Sequence, residues 1–429
     1  PAGVQVLSMF EARPQLLDLL IDISGTAPRL AKYLSRNAKV FEAVIAGDFF
    51  SDWPGEDGLR HELSQHLAAQ DDYEQQLDAA RAWAKEWHFR VGVHHLRGLI
   101  DADEAGLEYA QLAGAVVGAL WPIVLDQFAV KHGAPPGRGA MVLAMGSLGA
   151  GKLNASSDLD LIIIYDAPGD GSSDGPRVLP TRTYYARATQ ALITALTAPM
   201  SQGKLYDVDM RLRPSGNQGP VATSLAAFQT YQLEEAWVWE HLALTRARSV
   251  AGPEELCRDV DTFRTELLGS KGDRASVLAG VADMRARLAE AKVPTGAWDT
   301  KLGAGRMQDI ELIAQAGALM GADTQPDVRS GLAAGRRIGL FDPPGETALQ
   351  DAYQLCWIIT QTARLLGHSA LDVDKLGQGG CAMLLRETGF ETLDDLERGL
   401  DETVTAAAQV IEEVLAPVER DRGGPQDEA

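Results

Sequence analysis

Cysteine is scarce: three in 429 residues, Cys257, Cys356 and Cys381, far apart and without C-x-x-C spacing. That excludes a disulfide scaffold or a thiolate metal knuckle and fits reduced thiols in a cytoplasmic protein. No H-E-x-x-H occurs, and His94 and His95, as neighbours on a helix, diverge by roughly 100° and make poor co-ligands; no zinc site is expected. No apolar run approaches the ~18–20 residues that span a bilayer, so no membrane partner is expected. No signal peptide is discernible, and Pro1 in place of Met reads as a processed or excised fragment. Basic residues are also short, 39 Lys and Arg against 60 Asp and Glu, for a net charge of −21. Nucleic-acid binding draws on cations that neutralise phosphates, so this balance points away from nucleic acid and toward a protein or small-molecule partner. What is present, 45% hydrophobic residues, supports a sizeable core. The length implies two or three domains.

The stretch GSLGAGKLNASSDLDLIII, residues 146–164, places Gly146, Gly151 and Lys152 at G-x-x-x-x-G-K spacing. A P-loop needs Ser or Thr next, as a Mg²⁺ ligand, and then a helix facing the phosphates. Position 153 is Leu, and Asn154 to Ser157 read as a turn leading into a β-branched strand, Asp158 to Tyr165. The segment is therefore strand, Gly-rich turn, strand. Side chains at i and i+2 of a strand share a face, ~6–7 Å apart, so Asp158 and Asp160 aim together. Such carboxylates repel unless a cation neutralises them. Oxygen ligands suit Mg²⁺ with substrate phosphates, and the glycines upstream let backbone N–H groups approach phosphate oxygens. Gly146, Ser147, Ser156 and Ser157 are the accompanying candidates.

A second acidic strand, Leu205–Leu212 in LYDVDMRLRPSG, would put Asp207, Asp209 and Arg211 on one face. A third acid there completes a two-metal site of the phosphoryl-transfer type, and Arg211 and Arg213 could meet triphosphate oxygens. Around this unit the chain reads as helical. Residues 1–105 form an N-terminal helical region that includes a long run Tyr73–Ile100, and 106–252 form the catalytic domain, opening on a helix at 106–131 kinked by Pro122. Residues 253–419 form a helical bundle with helices near 254–268, 275–291, 307–319, 346–367 and 392–416, and 420–429 form a mobile polar tail. Arg246 and Arg248 read as salt-bridged helix residues, Trp237 and Trp239 as core, and Asp309 and Glu311 as a helix start.

Gly146-Ser147, Asp158-x-Asp160 and the later strand Asp resemble nucleotidyltransferases of the DNA polymerase β type. With LGAGKLNASSDLDLI, YDVDMRLRPSGNQGPVATS (206–224), EAWVWEHLALTRAR (235–248) and GAGRMQDIEL (303–312), the chain resembles the glutamine synthetase adenylyltransferase family. Members carry two such units, one removing AMP from glutamine synthetase and a C-terminal one attaching it. The opening GVQVLSMFEARPQLLDLLIDISGTAPRLAKYL resembles the start of the C-terminal half, as do Trp237, Trp239 and Asp309–Glu311, whereas KLGAG (301–305) is locally similar to the removing half.

The resemblance implies an α+β chain, mostly α overall, with a polymerase β-like domain on a small mixed sheet flanked by helical domains. It implies metal ligands Asp158, Asp160 and Asp209 for two Mg²⁺ ions, ATP as substrate, and phosphate contacts from Gly146, Ser147, Ser156, Ser157, Arg211 and Arg213. Two departures fall in the phosphate loop. The usual G-K-L-G-G is G-S-L-G-A, and a usual Glu-Leu is Lys152-Leu153, so Lys152 becomes the candidate cation. AMP would pass to a tyrosine of glutamine synthetase with loss of pyrophosphate, Asp209 accepting the proton, under the control of glutamine and a PII-type signal protein. Phosphorolytic removal of AMP, giving ADP, needs the same acids, and a regulatory nucleotide-binding module is the third reading.

Overall fold

The computed structural model describes residues 14–37, 49, 51–291 and 293–422. Most of the opening motif before Pro14 and the tail beyond Arg422 lie outside them. Helices come first: α1 (Pro14–Thr26), α2 (Pro28–Arg36), α3 (Gly55–Ala68), α4 (Tyr73–Leu96) and α5 (Ala102–His132). Their starts are written locally. Asp72 accepts from the Gln75 N–H to open α4, and Asp101 with Glu104 forms a reciprocal capping box that starts α5 at Ala102 rather than 106. α5 runs on through Pro122 until Gly133, whose φ of +86° ends it. By length and composition α5 could cross a membrane, a correction to the expectation that no such run exists. Its small residues and tolerated end charges hide it from a search for unbroken apolar sequence. In this structure its Leu112, Val116, Leu120 and Trp121 are buried in the protein core.

β1 (Gly139–Ala144), a single turn α6 (Gly146–Gly149), β2 (Leu159–Asp166), α7 (Thr181–Thr197), β3 (Val208–Asp209), β4 (Ala222–Ser224), α8 (Leu225–Glu234), α9 (Val238–Leu244) and β5 (Arg248–Ala251) follow. The sheet is mixed, in the order β3-β2-β1-β5 with β4 also on β2. β1 is antiparallel to β2 and β5, while β3 and β4 are parallel to β2. Helices complete the chain: α10 (Glu254–Ser270), α11 (Arg274–Ala291), α12 (Met307–Met320), α13 (Val328–Arg337), α14 (Pro343–Leu365), α15 (Gln378–Thr388) and α16 (Leu393–Arg422). The molecule is thus α+β and mostly helical.

Alternation along β1 places the sheet between two cores. Met141 and Leu143, with Ile162 and Ile164 of β2, join a cluster continuing through α10–α14 to Leu415. Ala140, Val142 and Ala144, with Leu161, Ile163 and Tyr165, face α3, α4, α5 and α7. A third cluster ties α1, α2 and α4 to Leu365, Leu366 and Met383. Both faces of the sheet are therefore covered, and an apolar cluster runs across residues 252 and 253.

The second acidic strand is shorter than expected. Only Val208 and Asp209 pair, and the chain turns at Arg211, so the shared face for Asp207, Asp209 and Arg211 does not form. Asp207 stays exposed and binds Lys204 at 2.7 Å. Trp237 is no core residue: it is 66% exposed, because it precedes α9 and gives its backbone N–H to Glu240, while Trp239 is half-buried. α13 was not legible because Gly331 and Gly335 lower helix propensity. Gly331 is needed for contact with α12, since a Cβ there would lie 2.4 Å from the Ala314 carbonyl, and one at Gly335 would lie 2.9 Å from the Phe341 ring.

One packing contact joins the layers. Trp357 donates to the Ala102 carbonyl at 3.0 Å, and a Cβ on Gly106 would sit 2.6 Å from the Trp357 ring. Overpacking of this kind costs about 1–3 kcal/mol, more than the ~0.5–1 kcal/mol that Gly→Ala gains in a helix. Gly106→Ala should therefore lower the urea midpoint, whereas Gly25→Ala in α1, with nothing within 4 Å, should not. Equal midpoints for Gly106→Ala and the unchanged protein would refute the interlayer contact.

Candidate active site

The site forms where β1 ends. Met145 donates its N–H to the Asp160 carbonyl at 2.9 Å, and the chain then makes the single turn α6. Gly146 has φ +55°, and a Cβ there would lie 2.3 Å from Asp160 Oδ2, while one on Gly149 would lie 2.0 Å from the Arg246 carbonyl. No side chain fits at either place. The expected Gly-rich turn is thus one helical turn wedged between an acid and a base. Arg248 holds its end, donating to the Leu148 carbonyl at 3.1 Å and to Glu56 at 2.8 Å.

The three expected acids come together. Asp160 pairs with Asp209 across the parallel β2–β3 ladder, with strands ~4.8 Å apart. Asp158 lies just before β2, which begins at Leu159 rather than at Asp158, near enough for its charge to act on Asp160. Burial first, then the charges of Asp158 and Asp209, push the Asp160 carboxyl up to about 6, while Arg246 and Lys301 pull it back. Asp209 is held below the usual carboxylate range by hydrogen bonds from Arg211. Arg211 donates from Nε at 2.7 Å and from its backbone N–H at 2.8 Å. That side chain is 72% exposed. It is the counter-ion of Asp209 rather than a free phosphate ligand. Arg213 is buried and donates to the carbonyls of Met210 and Gly219, so it shapes the turn after β3.

Among the described residues no three acids, histidines or cysteines already close on a common point. The donor set nonetheless fits a divalent cation: three carboxylates crowd one sheet edge, one of them burdened by the other two, and an exposed Arg occupies the third. Asp158, Asp160 and Asp209 are the groups that could hold Mg²⁺.

The remaining expected contacts fall on two sides of the 153–157 loop. Ser147 and Lys152 line a cavity of ≈ 100 Å³ with Arg246, Lys301, Tyr353 and Arg364. Lys152 is engaged by Asp103 at 2.6 Å and lies over the Tyr353 and Trp357 rings, 5.6 and 5.1 Å away. Ser156 and Ser157 face a different hollow and are tied to Asn154 within an Asx turn.

Arg246 and Arg248 do not lie on a helix: one follows α9 in a turn and the other begins β5. Arg246 is buried and pairs with Glu311 at 2.9 Å, and its Nε has no partner. Lys301 and Arg364 are cations the sequence does not single out, and Arg246, expected as a salt-bridged helix residue, keeps its salt bridge but joins them at the site. They come from three distant segments, and only the fold brings them to one wall. Asp309 makes its contacts away from this wall, accepting from the Gly305 N–H and pairing with Arg285.

The raised Asp160 carboxyl fixes a sign. The folded state holds this proton more tightly than the unfolded chain, so the associated stability is complete below about pH 4 and is lost as pH rises through about 6. Without divalent cations, Asp160→Asn should melt higher than the unchanged protein at pH 8, by an amount on the order of 2 kcal/mol. The difference should shrink toward pH 4, and Mg²⁺ at pH 8 should narrow it by stabilising only the unchanged protein. A pH-independent difference would remove the carboxylate crowding from the account.

A family model described as glutamate-ammonia ligase adenylyltransferase matches residues 17–262. A bifunctional glutamine synthetase adenylyltransferase/adenylyl-removing enzyme of Mesorhizobium japonicum is 38% identical over 411 residues, 94% of this chain and 41% of its own. Proteins of the same name from Xanthobacter autotrophicus and Agrobacterium fabrum are 39% and 42% identical, over 96% and 75% of this chain and 42% and 33% of theirs. The chain spans about two fifths of the length of the first two relatives. The match takes in the β1–α6–β2 unit, β3 with the third acid, and the Arg246 turn. On this evidence the chain belongs to the glutamate-ammonia ligase adenylyltransferase family.

Proposed function

We propose that this chain is the AMP-attaching nucleotidyltransferase unit of such an enzyme, built on a DNA polymerase β-type domain. It would transfer AMP from ATP to a tyrosine of glutamine synthetase with release of pyrophosphate. The observation that carries this is the meeting of Asp158, Asp160 and Asp209 beside the side-chain-free turn at Gly146, in a chain of this family. The mixed sheet, with Asp160 on β2 and Asp209 on its parallel neighbour, supports the domain assignment.

In this reading Arg246 and Lys301 bind triphosphate oxygens from the wall facing α6, where the unpartnered Arg246 Nε is available. The N–H groups at the start of α6, and Ser147, approach the same oxygens because Gly146 leaves no side chain in the way. Mg²⁺, held by Asp158, Asp160 and Asp209, would supply charge neutralisation at the phosphates and make the attacking hydroxyl more acidic. Arg211 is exposed enough to leave Asp209 for the triphosphate, which frees that carboxylate to bind the cation and to take the hydroxyl proton. Lys152, fixed by Asp103 and two aromatic rings, holds the far wall of the cavity. Glutamine and a PII-type protein as regulators, and a cytoplasmic setting, are part of this proposal by family resemblance.

The test supplies α-³²P-ATP, Mg²⁺ and unmodified glutamine synthetase. Label should reach the synthetase and fall at least 10³-fold with Asp158→Asn or Asp160→Asn at unchanged circular dichroism. Arg246→Ala should raise the KM for ATP about 10- to 100-fold, the worth of a charge-assisted hydrogen bond. Release of ADP from AMP-modified synthetase with phosphate, and no labelling, would assign the removing activity instead.

A further inference from the structure

In a chain with 21 excess negative charges, five cations without an ion-pair partner among the described residues line one cleft. Two adjoining hollows of ≈ 680 and ≈ 590 Å³ share Arg29, Lys85, His88, Ala155 and Arg364 as common walls. α2 adds Lys32 and Arg36 one helical turn apart along the first hollow. Arg29, Lys32, Arg36, Lys85 and Arg364 have no ion-pair partner among the described residues. Asp207, the one carboxylate lining either hollow among them, is taken by Lys204. Positive charge burdens these cations: burial, then the neighbouring Arg81, then Arg36 depress Lys85, and burial, then Arg29, depress Arg364. His88 is kept neutral, down to about 4, by burial first and then by Arg29 and Lys85. Convergent like charges without partners are a standing cost in the free protein, relieved by an anionic ligand.

The shape selects the ligand. Arg29, Lys85 and Arg364 share one wall, enough donors for a single phosphate, but Lys32 and Arg36 carry the basic lining on along the first hollow, beyond what one phosphate would engage. Tyr33 and Met200 also line the first hollow and Leu205 and Tyr206 the second, so apolar surface accompanies the charges, as a peptide segment would use and a bare anion would not. The cleft reaches the residues beside the acids: Ser156 and Ser157, next to Asp158 in sequence, line it, and Arg364 feels the Asp158 charge. Arg364 and Asn154 also line the cavity beside Ser147.

We propose that this cleft binds an acidic, extended segment of the protein acceptor, next to the residue that receives AMP, and so presents that residue to Asp158, Asp160 and Asp209. This deepens the transferase reading and rests on it for the acceptor's role; binding itself is tested without turnover. Fluorescence anisotropy with a labelled octaglutamate and the full 429-residue chain should show saturable binding. That binding should weaken from 50 to 200 mM NaCl and drop at least tenfold in Lys32→Glu/Arg36→Glu, with a second pair, Arg29→Gln/Lys85→Gln, confirming it should the first misfold. In the transfer assay the charge-reversed pair should raise the KM for glutamine synthetase at least tenfold, leaving kcat and the KM for ATP within twofold.

No octaglutamate binding, or binding unchanged in both pairs, overturns the proposal. So does tighter binding of octathymidylate, which would make the cleft a nucleic-acid groove, or full displacement by 1 mM inorganic phosphate, which would make it a small-anion pocket. An unchanged KM for the synthetase in an active enzyme overturns the docking role. Should the unchanged chain transfer no AMP, the transferase reading fails while anisotropy still decides the cleft.

Discussion

Three negative charges held on and beside neighbouring strands are the constraint around which the site is arranged. The β2–β3 ladder fixes the backbones of Asp160 and Asp209 side by side, and Asp158, just before β2, adds its charge to theirs. The relief comes from cations placed by other segments: Arg211 on Asp209, and Arg246 and Lys301 within reach of Asp160. Gly146 is glycine because its φ of +55° is one that L side chains rarely adopt, and a Cβ there would also displace the Asp160 carboxylate. A site built this way is short of positive charge at its centre, a shortage that the proposed cation-bearing nucleotide would meet.

The acids were legible in the sequence because their signal is local. Asp158 and Asp160 sit two apart in a β-branched run after glycines, close enough for their charges to interact although β2 begins only at Leu159. Asp209 was legible by the same logic, although its strand proved to be two residues long. The error in extending that strand to Leu212 came from reading alternation without the turn that Arg213 imposes by donating to the Met210 and Gly219 carbonyls. The long amphipathic helices were equally plain. What escaped was non-local: Arg246 behind α6, Lys301 from the loop before α12, and Arg364 at the end of α14 meet only through the packing of the helical layers. The helix α13 escaped for the opposite reason, since the glycines that let it pack closely make it look like a loop.

Buried arginine also builds the surroundings of the basic cleft. Arg81 is fully buried and donates to the carbonyls of Leu77, Ala195, Ala198 and Gly203. It therefore clamps α4 to the end of α7 and to the turn that forms one wall. A guanidinium suits this task because its planar fork reaches several carbonyls at once and stays charged when desolvated. The cation that shapes the wall is thereby spent on backbone, whereas Arg29, Lys32, Arg36, Lys85 and Arg364 beside it have no ion-pair partner among the described residues.

The sheet lies between two separate cores, and this bears on how finely the site is set. Met141 and Leu143 are gripped from one side, Val142 and Ala144 from the other. A slip of β1 by one residue would exchange these sets and misfit both cores together. The pairing of Ala144 with Leu161 is consequently locked from two directions, and that pairing decides where Asp160 falls relative to Gly146. Positional error at the carboxylates is thus set by bulk packing many residues away. A change of one methyl group in either core would reach the chemistry as a displacement before it registered as a loss of folded protein.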